Sequence, residues 1–276
     1  MSAMEEARSE VVKLGELEFH FLDWGDRDAP PVLFLHGFAG HAWQTIFPAQ
    51  SLAHDHWVIA LDQRGHGDSA WADVYGSVPM VADAVAFLDW LGVGRTAVVG
   101  HSMGGINALC LSGLHPDLVS ALALGDIGPE INRAGQDRIQ SNVRQGDTFA
   151  SVDEAYAQQI ALNPTANPVA LRSRVEHNLR EQADGTLMWK YDSALRDGSA
   201  RYENFSRDDQ WAFWHALTVP TLLMRGALSD ILTVETAVRM AESNPNARLV
   251  TLPGSGHSIA TDVPDLVTTA LADFLA

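Results

Sequence analysis

Ser102 stands in Gly100-His101-Ser102-Met103-Gly104, directly behind the apolar run Thr96-Ala97-Val98-Val99 and ahead of Gly105-Ile106-Asn107-Ala108-Leu109-Cys110-Leu111. A chain that leaves a strand and enters a helix within so few residues has little room for side chains, and a glycine on each side of the serine permits the turn. The serine hydroxyl is then carried above the edge of a sheet. This arrangement, a nucleophile elbow, requires a strand before it and a helix after it, and so constrains the fold more than any other feature of the chain.

The surrounding pattern supplies both. Short apolar runs bounded by turn residues occupy 11–22, 31–35, 57–61, 96–99 and 118–124. Residues 78–91 read as a helix, with Val81, Val85, Leu88 and Leu91 at helical spacing. Strands alternating with helices predict a mainly parallel sheet covered on both faces. The runs within 11–35 have no helix between them and predict antiparallel strands that begin the sheet.

From about 130 to 215 the chain becomes rich in Arg, Gln and Asp and gives helix signals with few β-branched runs. Ser151-Val152-Asp153-Glu154 reads as a capping box, Asn167-Pro168 as a cap followed by a first-turn proline, and 208–217 as a further helix. This segment is expected to be a helical lid inserted into an α/β core made of residues 1–129 and 216–276. Alternation resumes with a strand at 219–225, a helix at 233–242, a strand at 248–252 and a last helix at 264–275.

An activated serine needs a base, the base needs an orienting acid, and the oxyanion that forms needs donors. Gly254-Ser255-Gly256-His257 follows the final predicted strand, so His257 falls on a loop at a strand's C-terminal end and is the candidate base. Two aspartates qualify as the acid. Asp230 follows the strand after the lid and is the expected partner, while Asp126, after the preceding strand, is the alternative or a pocket carboxylate; both keep the order serine, acid, histidine. His36-Gly37-Phe38 follows the run at 31–35, which makes the N–H groups of Phe38 and Met103 the candidate oxyanion donors. His36, Gly37 and His101 are expected to shape the substrate site.

The charged turn Asp62-Gln63-Arg64-Gly65-His66-Gly67-Asp68-Ser69 lacks the Lys-Ser/Thr of a phosphate loop and reads as structural. No ligand spacing suggests a metal and no G-x-G-x-x-G follows a strand, so no cofactor is inferred. A formal charge of −17 argues against nucleic acid and anionic membranes as partners. It also slows anionic substrates unless the pocket holds its own arginines. Residues 1–8 show neither the basic nor the apolar region of a signal peptide, and no run is long enough to span a membrane, which predicts a cytoplasmic protein. Cys110, the one cysteine, is expected to pack in the core.

Together these residues resemble the α/β-hydrolase superfamily, over nearly the whole chain: His36-Gly37-Phe38, Asp62-x-Arg64-Gly65-x-Gly67-x-Ser69, Gly100-x-Ser102-x-Gly104, Asp230 and His257. The resemblance implies an eight-stranded mostly parallel sheet flanked by helices, with a helical cap inserted after strand 6. Epoxide hydrolases and haloalkane dehalogenases carry aspartate at the elbow, so Ser102 favours acyl chemistry instead: cleavage of a small to medium ester, lactone or amide. Meta-cleavage C–C hydrolases commonly carry asparagine where this chain has His101, which weakens that alternative. A low-turnover receptor on the same fold is the second alternative. The region around Asp126 and Asp230 resembles bacterial capped ester and amide hydrolases, some of which take their acid from the earlier strand.

The expected partner is therefore a small molecule; oligomeric state is not legible. Among the lid aromatics, Trp189 and Trp214 are candidate substrate contacts, beside Tyr191, Trp211 and Phe213. Arg133, Arg138, Arg172 and Arg174 are expected on solvated faces, but one that pointed inward would imply a substrate bearing a carboxylate.

Overall fold

A computed structural model describes residues 7–144, 146 and 148–276. Residues 1–6, on which the reading of the N-terminus partly rests, lie outside the described residues.

The chain begins as a hairpin, β1 (Arg8–Leu14) and β2 (Leu17–Trp24), so the run predicted at 11–22 is two strands and not one. Gly15 at φ 61 supplies the left-handed residue that a two-residue turn needs, and Leu14 pairs with Leu17 across it. Six strands follow: β3 (Pro31–Leu35), β4 (Trp57–Leu61), β5 (Thr96–His101), β6 (Val119–Gly125), β7 (Thr221–Gly226) and β8 (Ala247–Leu252). Their spatial order is β1-β2-β4-β3-β5-β6-β7-β8. Only the pairings of β2 are antiparallel; β3, expected to be antiparallel, lies between β4 and β5 and is parallel to both.

The central strands are apolar on both faces because each face is covered. Val32 and Phe34 of β3 point into a core completed by α1 (Ile46–Leu52) and α10 (Pro264–Leu275). Leu33 and Leu35 point the other way, toward α2 (Ser77–Leu91), α3 (Met103–Leu114) and α9 (Val234–Ser243). Cys110 of α3 is fully buried there, and burial pushes its thiol up to about 12.

Between β6 and β7 run α4 (Arg133–Val143), α5 (Val152–Leu162), α6 (Pro168–His177), α7 (Ser193–Asp197) and α8 (Arg207–Ala216). A small antiparallel sheet of Thr148–Phe149, Leu179–Glu181 and Leu187–Trp189 accompanies them. Phe149, Leu171, Val175, Trp189 and Tyr191 give this region a separate apolar cluster, which reaches the body through Ala39 and Phe38. Asn167 caps α6 as its sequence predicts, accepting from Val169 N and Ala170 N. Ser151 accepts from Glu154 N, but Glu154 reaches the amide of Ala150 and not that of Ser151, so the box is only half formed. The last helix, α8, returns to the body. Its Trp214 is fully buried and donates from Nε1 to Met240 O and Ser243 Oγ.

Register places the site. Leu35 pairs with Gly100, His101 with Gly125, Gly125 with Met224 and Gly226 with Leu252. Five parallel strands, β3, β5, β6, β7 and β8, therefore end in one row, and the loops that follow them open at the same edge of the sheet.

Candidate functional site

Ser102 occupies the turn between β5 and α3 at φ 52, ψ −119, outside the regions that a side chain ordinarily allows. The neighbouring glycines make this possible in a measurable way. A Cβ on Gly104 would lie 2.1 Å from Leu35 O, and one on Gly100 would lie 2.3 Å from Gly104 O. Two further non-glycine residues share a positive φ, Ala39 at 56° and Asp126 at 52°. All three follow the C-terminal ends of neighbouring strands.

Two of these turns, at Ser102 and Asp126, aim their side chains at His257. Ser102 Oγ lies 2.9 Å from His257 Nε2, and His257 Nδ1 lies 2.7 Å from Asp126 Oδ2. The Asp126 side chain is wholly buried. Gly226 N donates to its Oδ1, and Ser229 Oγ donates to its Oδ2. A carboxylate held by two donors in a dry site stays oriented and offers its remaining lone pair to the imidazole.

Asp230, the expected acid, faces elsewhere. Its two oxygens accept from Arg138 Nε and Nη2 at 2.6 and 2.7 Å, and that fork holds its carboxyl below the usual carboxylate range. Asp230, the acid expected from the sequence, is thus displaced by the alternative, Asp126, beside the imidazole. Both aspartates follow strands, but the turn at Asp126, whose amide bonds Met224 O at 2.7 Å, directs its side chain inward, while Asp230 is reached first by a cation on α4.

His101 and His36 are structural supports. His101 Nε2 donates to His257 O at 2.8 Å, and its ring packs 5.0 Å from the His257 ring. Burial, assisted by His257, lowers its pKa to about 3, so the ring is neutral. It is a wedge behind the base: a Cβ on Gly37 would come 2.8 Å from its Nδ1. His36 is buried one step further from the cavity. It donates from Nδ1 to Gly37 O and accepts at Nε2 from Gln63 N, while Gln63 Nε2 donates to His36 O and Asn107 Nδ2 donates to Gln63 Oε1. The loop 36–40 is thereby fixed from below. No signal in the sequence pointed to Gln63, Asn107 or Ser229 in these roles. Among the described residues, neither the Phe38 nor the Met103 amide has a protein partner, and both border the serine.

Two cavities meet at Ser102. One, of about 450 Å³, is lined by His257, Gly37, His101, Trp189 and Arg174. The other, of about 660 Å³, is lined by Met80, Met103, Ile106, Ile127 and Ile139. Phe38 borders both. Of the two tryptophans expected at substrate, Trp189 lines the first cavity, whereas Trp214 lies in the core under α8 and reaches neither.

Among the described residues His20, Asp62 and Asp68 bring three potential metal-ligand atoms within 4.8 Å of one another. Their donors are already used. His20 Nδ1 meets Asp62 Oδ2 at 2.6 Å, the Ala42 and Asp68 amides donate to Asp62, and Lys190 pairs with Asp68. This cluster ties the turn 62–69 to β2 and does not form an open coordination site. No helix among the described residues is long and apolar enough to cross a membrane.

A family model of the alpha/beta hydrolase fold matches residues 30–262. The chain is a member of the α/β-hydrolase family. This α/β hydrolase is 31% identical over 257 residues to an esterase of Mycobacterium tuberculosis, with 88% of this chain and 81% of the relative covered. It is 26% identical to a 2-(acetamidomethylene)succinate hydrolase of Mesorhizobium japonicum, with 97% and 95% covered. A solved α/β hydrolase from Novosphingobium aromaticivorans superposes with a TM-score of 0.87 at 30% identity, covering 99% of each chain. The protein is thus a hydrolase of this fold, with esterases among its relatives.

Proposed function

We propose that this hydrolase cleaves carboxylic esters, or related lactones and amides, through an acyl-enzyme on Ser102. The observation that carries the reading is the continuous hydrogen-bonded chain from Ser102 Oγ through His257 to Asp126. Nothing else in the fold requires a strained serine, a nearly buried imidazole and a fully buried carboxylate to be in line.

In this reading His257 Nε2 takes the Ser102 proton as Oγ attacks the carbonyl carbon, and Asp126 holds the Nδ1–H tautomer and stabilises the imidazolium. The Phe38 and Met103 amides, unpaired and rigidly held, receive the oxyanion; each such donor contributes about 3 kcal/mol to the transition state. His257 then protonates the departing oxygen or nitrogen. Water repeats the sequence on the acyl-enzyme. The segment 130–215, up to α8, acts as the lid that closes this site to solvent.

Steady-state hydrolysis of short-chain p-nitrophenyl esters by the wild type and Ser102→Ala tests the reading. Turnover in the wild type that falls by at least ~10³-fold in the variant supports it. Equal rates for the two proteins place the activity elsewhere.

A further inference from the structure

Arg174 lies on α6 and lines the same cavity as Ser102 and His257. Arg138, also on that wall, is neutralised by its fork to Asp230, and Arg172 is paired with Asp153 and Glu176. Among the described residues Arg174 makes no ion pair or side-chain hydrogen bond; its own backbone carbonyl accepts from His41 Nε2. Burial lowers its pKa, which Tyr191 and then Asp262 oppose, but the Asp262 oxygens are already taken by Asn163 Nδ2, Thr165 Oγ1 and Gly256 N. Gly37, His101, Ser102 and His257 line the same cavity together with Arg174, which places the arginine at the catalytic end.

A partly buried guanidinium without a counter-ion is costly, and its planar fork is suited to a carboxylate. In a chain of net charge −17 it is also the local device that draws an anion into an otherwise repelling molecule.

The two cavities decide which half of the substrate carries that anion. With the acyl carbon on Ser102 Oγ and its oxygen at the Phe38 and Met103 amides, the leaving oxygen must lie within reach of His257 Nε2. His257 borders only the cavity that holds Arg174. The other cavity takes the acyl chain against Met80, Ile106 and Ile127. Arginines do border that second cavity, but Arg144 and Arg207 stand exposed at its rim, and Arg196 is covered by Tyr191.

We propose that the physiological substrate is an ester of a hydroxycarboxylic acid, or the matching amide of an amino acid, whose leaving half carries a carboxylate bound by Arg174. The inference rests on the acyl-hydrolase reading above. The Oγ–C bond forms and the C–O bond of the ester breaks; the proton taken from Ser102 passes through His257 to the departing alcohol. The hydroxy acid leaves and water releases the apolar acid.

The test compares 4-carboxyphenyl butyrate with its methyl ester, 4-(methoxycarbonyl)phenyl butyrate, in the wild type, Arg174→Gln and Arg174→Lys. The account predicts that the ratio of kcat/KM for the charged over the neutral ester falls about 10- to 100-fold in Arg174→Gln and is partly restored in Arg174→Lys. Arg172→Gln leaves the ratio unchanged. Inhibition of the wild type by 4-hydroxybenzoate, stronger than by its methyl ester, gives a readout that does not depend on a variant folding. An unchanged ratio together with equal inhibition overturns the assignment. So does charge sensitivity confined to the acyl side, read with p-nitrophenyl hemisuccinate against its methyl ester. Loss of neutral-ester hydrolysis in Ser102→Ala tests the parent reading separately, so the two failures are distinguishable.

Discussion

Asp126 Oδ2 stands 2.7 Å from His257 Nδ1 although 131 residues separate them, and the carboxylate has no exposure to solvent. Asp230 is nearer to His257 in sequence, yet it spends both oxygens on Arg138. Substitution separates these two aspartates. Asp126→Asn is expected to lower kcat by about 10⁴-fold, since an amide leaves the imidazole in the wrong tautomer. Asp230→Asn loses at least a hundredfold less. Steady-state kinetics of both variants on one p-nitrophenyl ester checks the ranking, and equal losses contradict it.

Gly104 is fixed by the elbow, not by flexibility. A methyl group there meets the backbone carbonyl of Leu35 at 2.1 Å, which cannot yield without moving β3. Gly104→Ala is expected to cost about 3 kcal/mol, or roughly 6–12 °C in Tm. Gly94, where a Cβ would have nothing within 4 Å, is the control, and Gly94→Ala is expected to be neutral or slightly stabilising. Thermal melts of the two variants test this contrast.

Acid weakens the fold through buried imidazoles. Burial lowers the pKa of His41, His66 and His101 from 6.5 to about 3. The unfolded chain binds these protons first. Their contribution to stability is therefore complete above pH 6.5 and is lost as the pH falls from there toward 3. Each proton contributes a slope of about 1.4 kcal/mol per pH unit within that window. Urea midpoints at pH 7, 5.5 and 4.5 should fall steeply; a flat series contradicts the account.

The parts of the site that lie within a few residues of one another were legible in the chain. Ser102 was marked by its own glycines and its flanking strand and helix, and His257 by a glycine loop after a strand. The sheet was equally readable, because strands buried on both faces are written as apolar runs. What escaped depends on where separate loops meet. Asp126 and Asp230 both keep the expected order, and only the turn at Asp126 and the presence of Arg138 on α4 distinguish them. Trp214 shares its helix with Trp211 and Phe213, and nothing in the spacing shows that α8 returns to the core. Ser206 and Asp209 form a complete capping box that the more familiar Ser-x-x-Glu pattern at Ser151 only half achieves. Arg174 resembles its neighbours on α6 until the helix is placed against the cavity.

Rapid-quench peptide mapping during turnover of p-nitrophenyl butyrate tests the central claim most directly. A butyryl group on the peptide containing Ser102, appearing with the first burst of p-nitrophenol and absent from Ser102→Ala, is the predicted result. Hydrolysis by a protein that never carries the acyl group on Ser102 would contradict the account, because the Ser102–His257–Asp126 chain would then have no covalent step to serve.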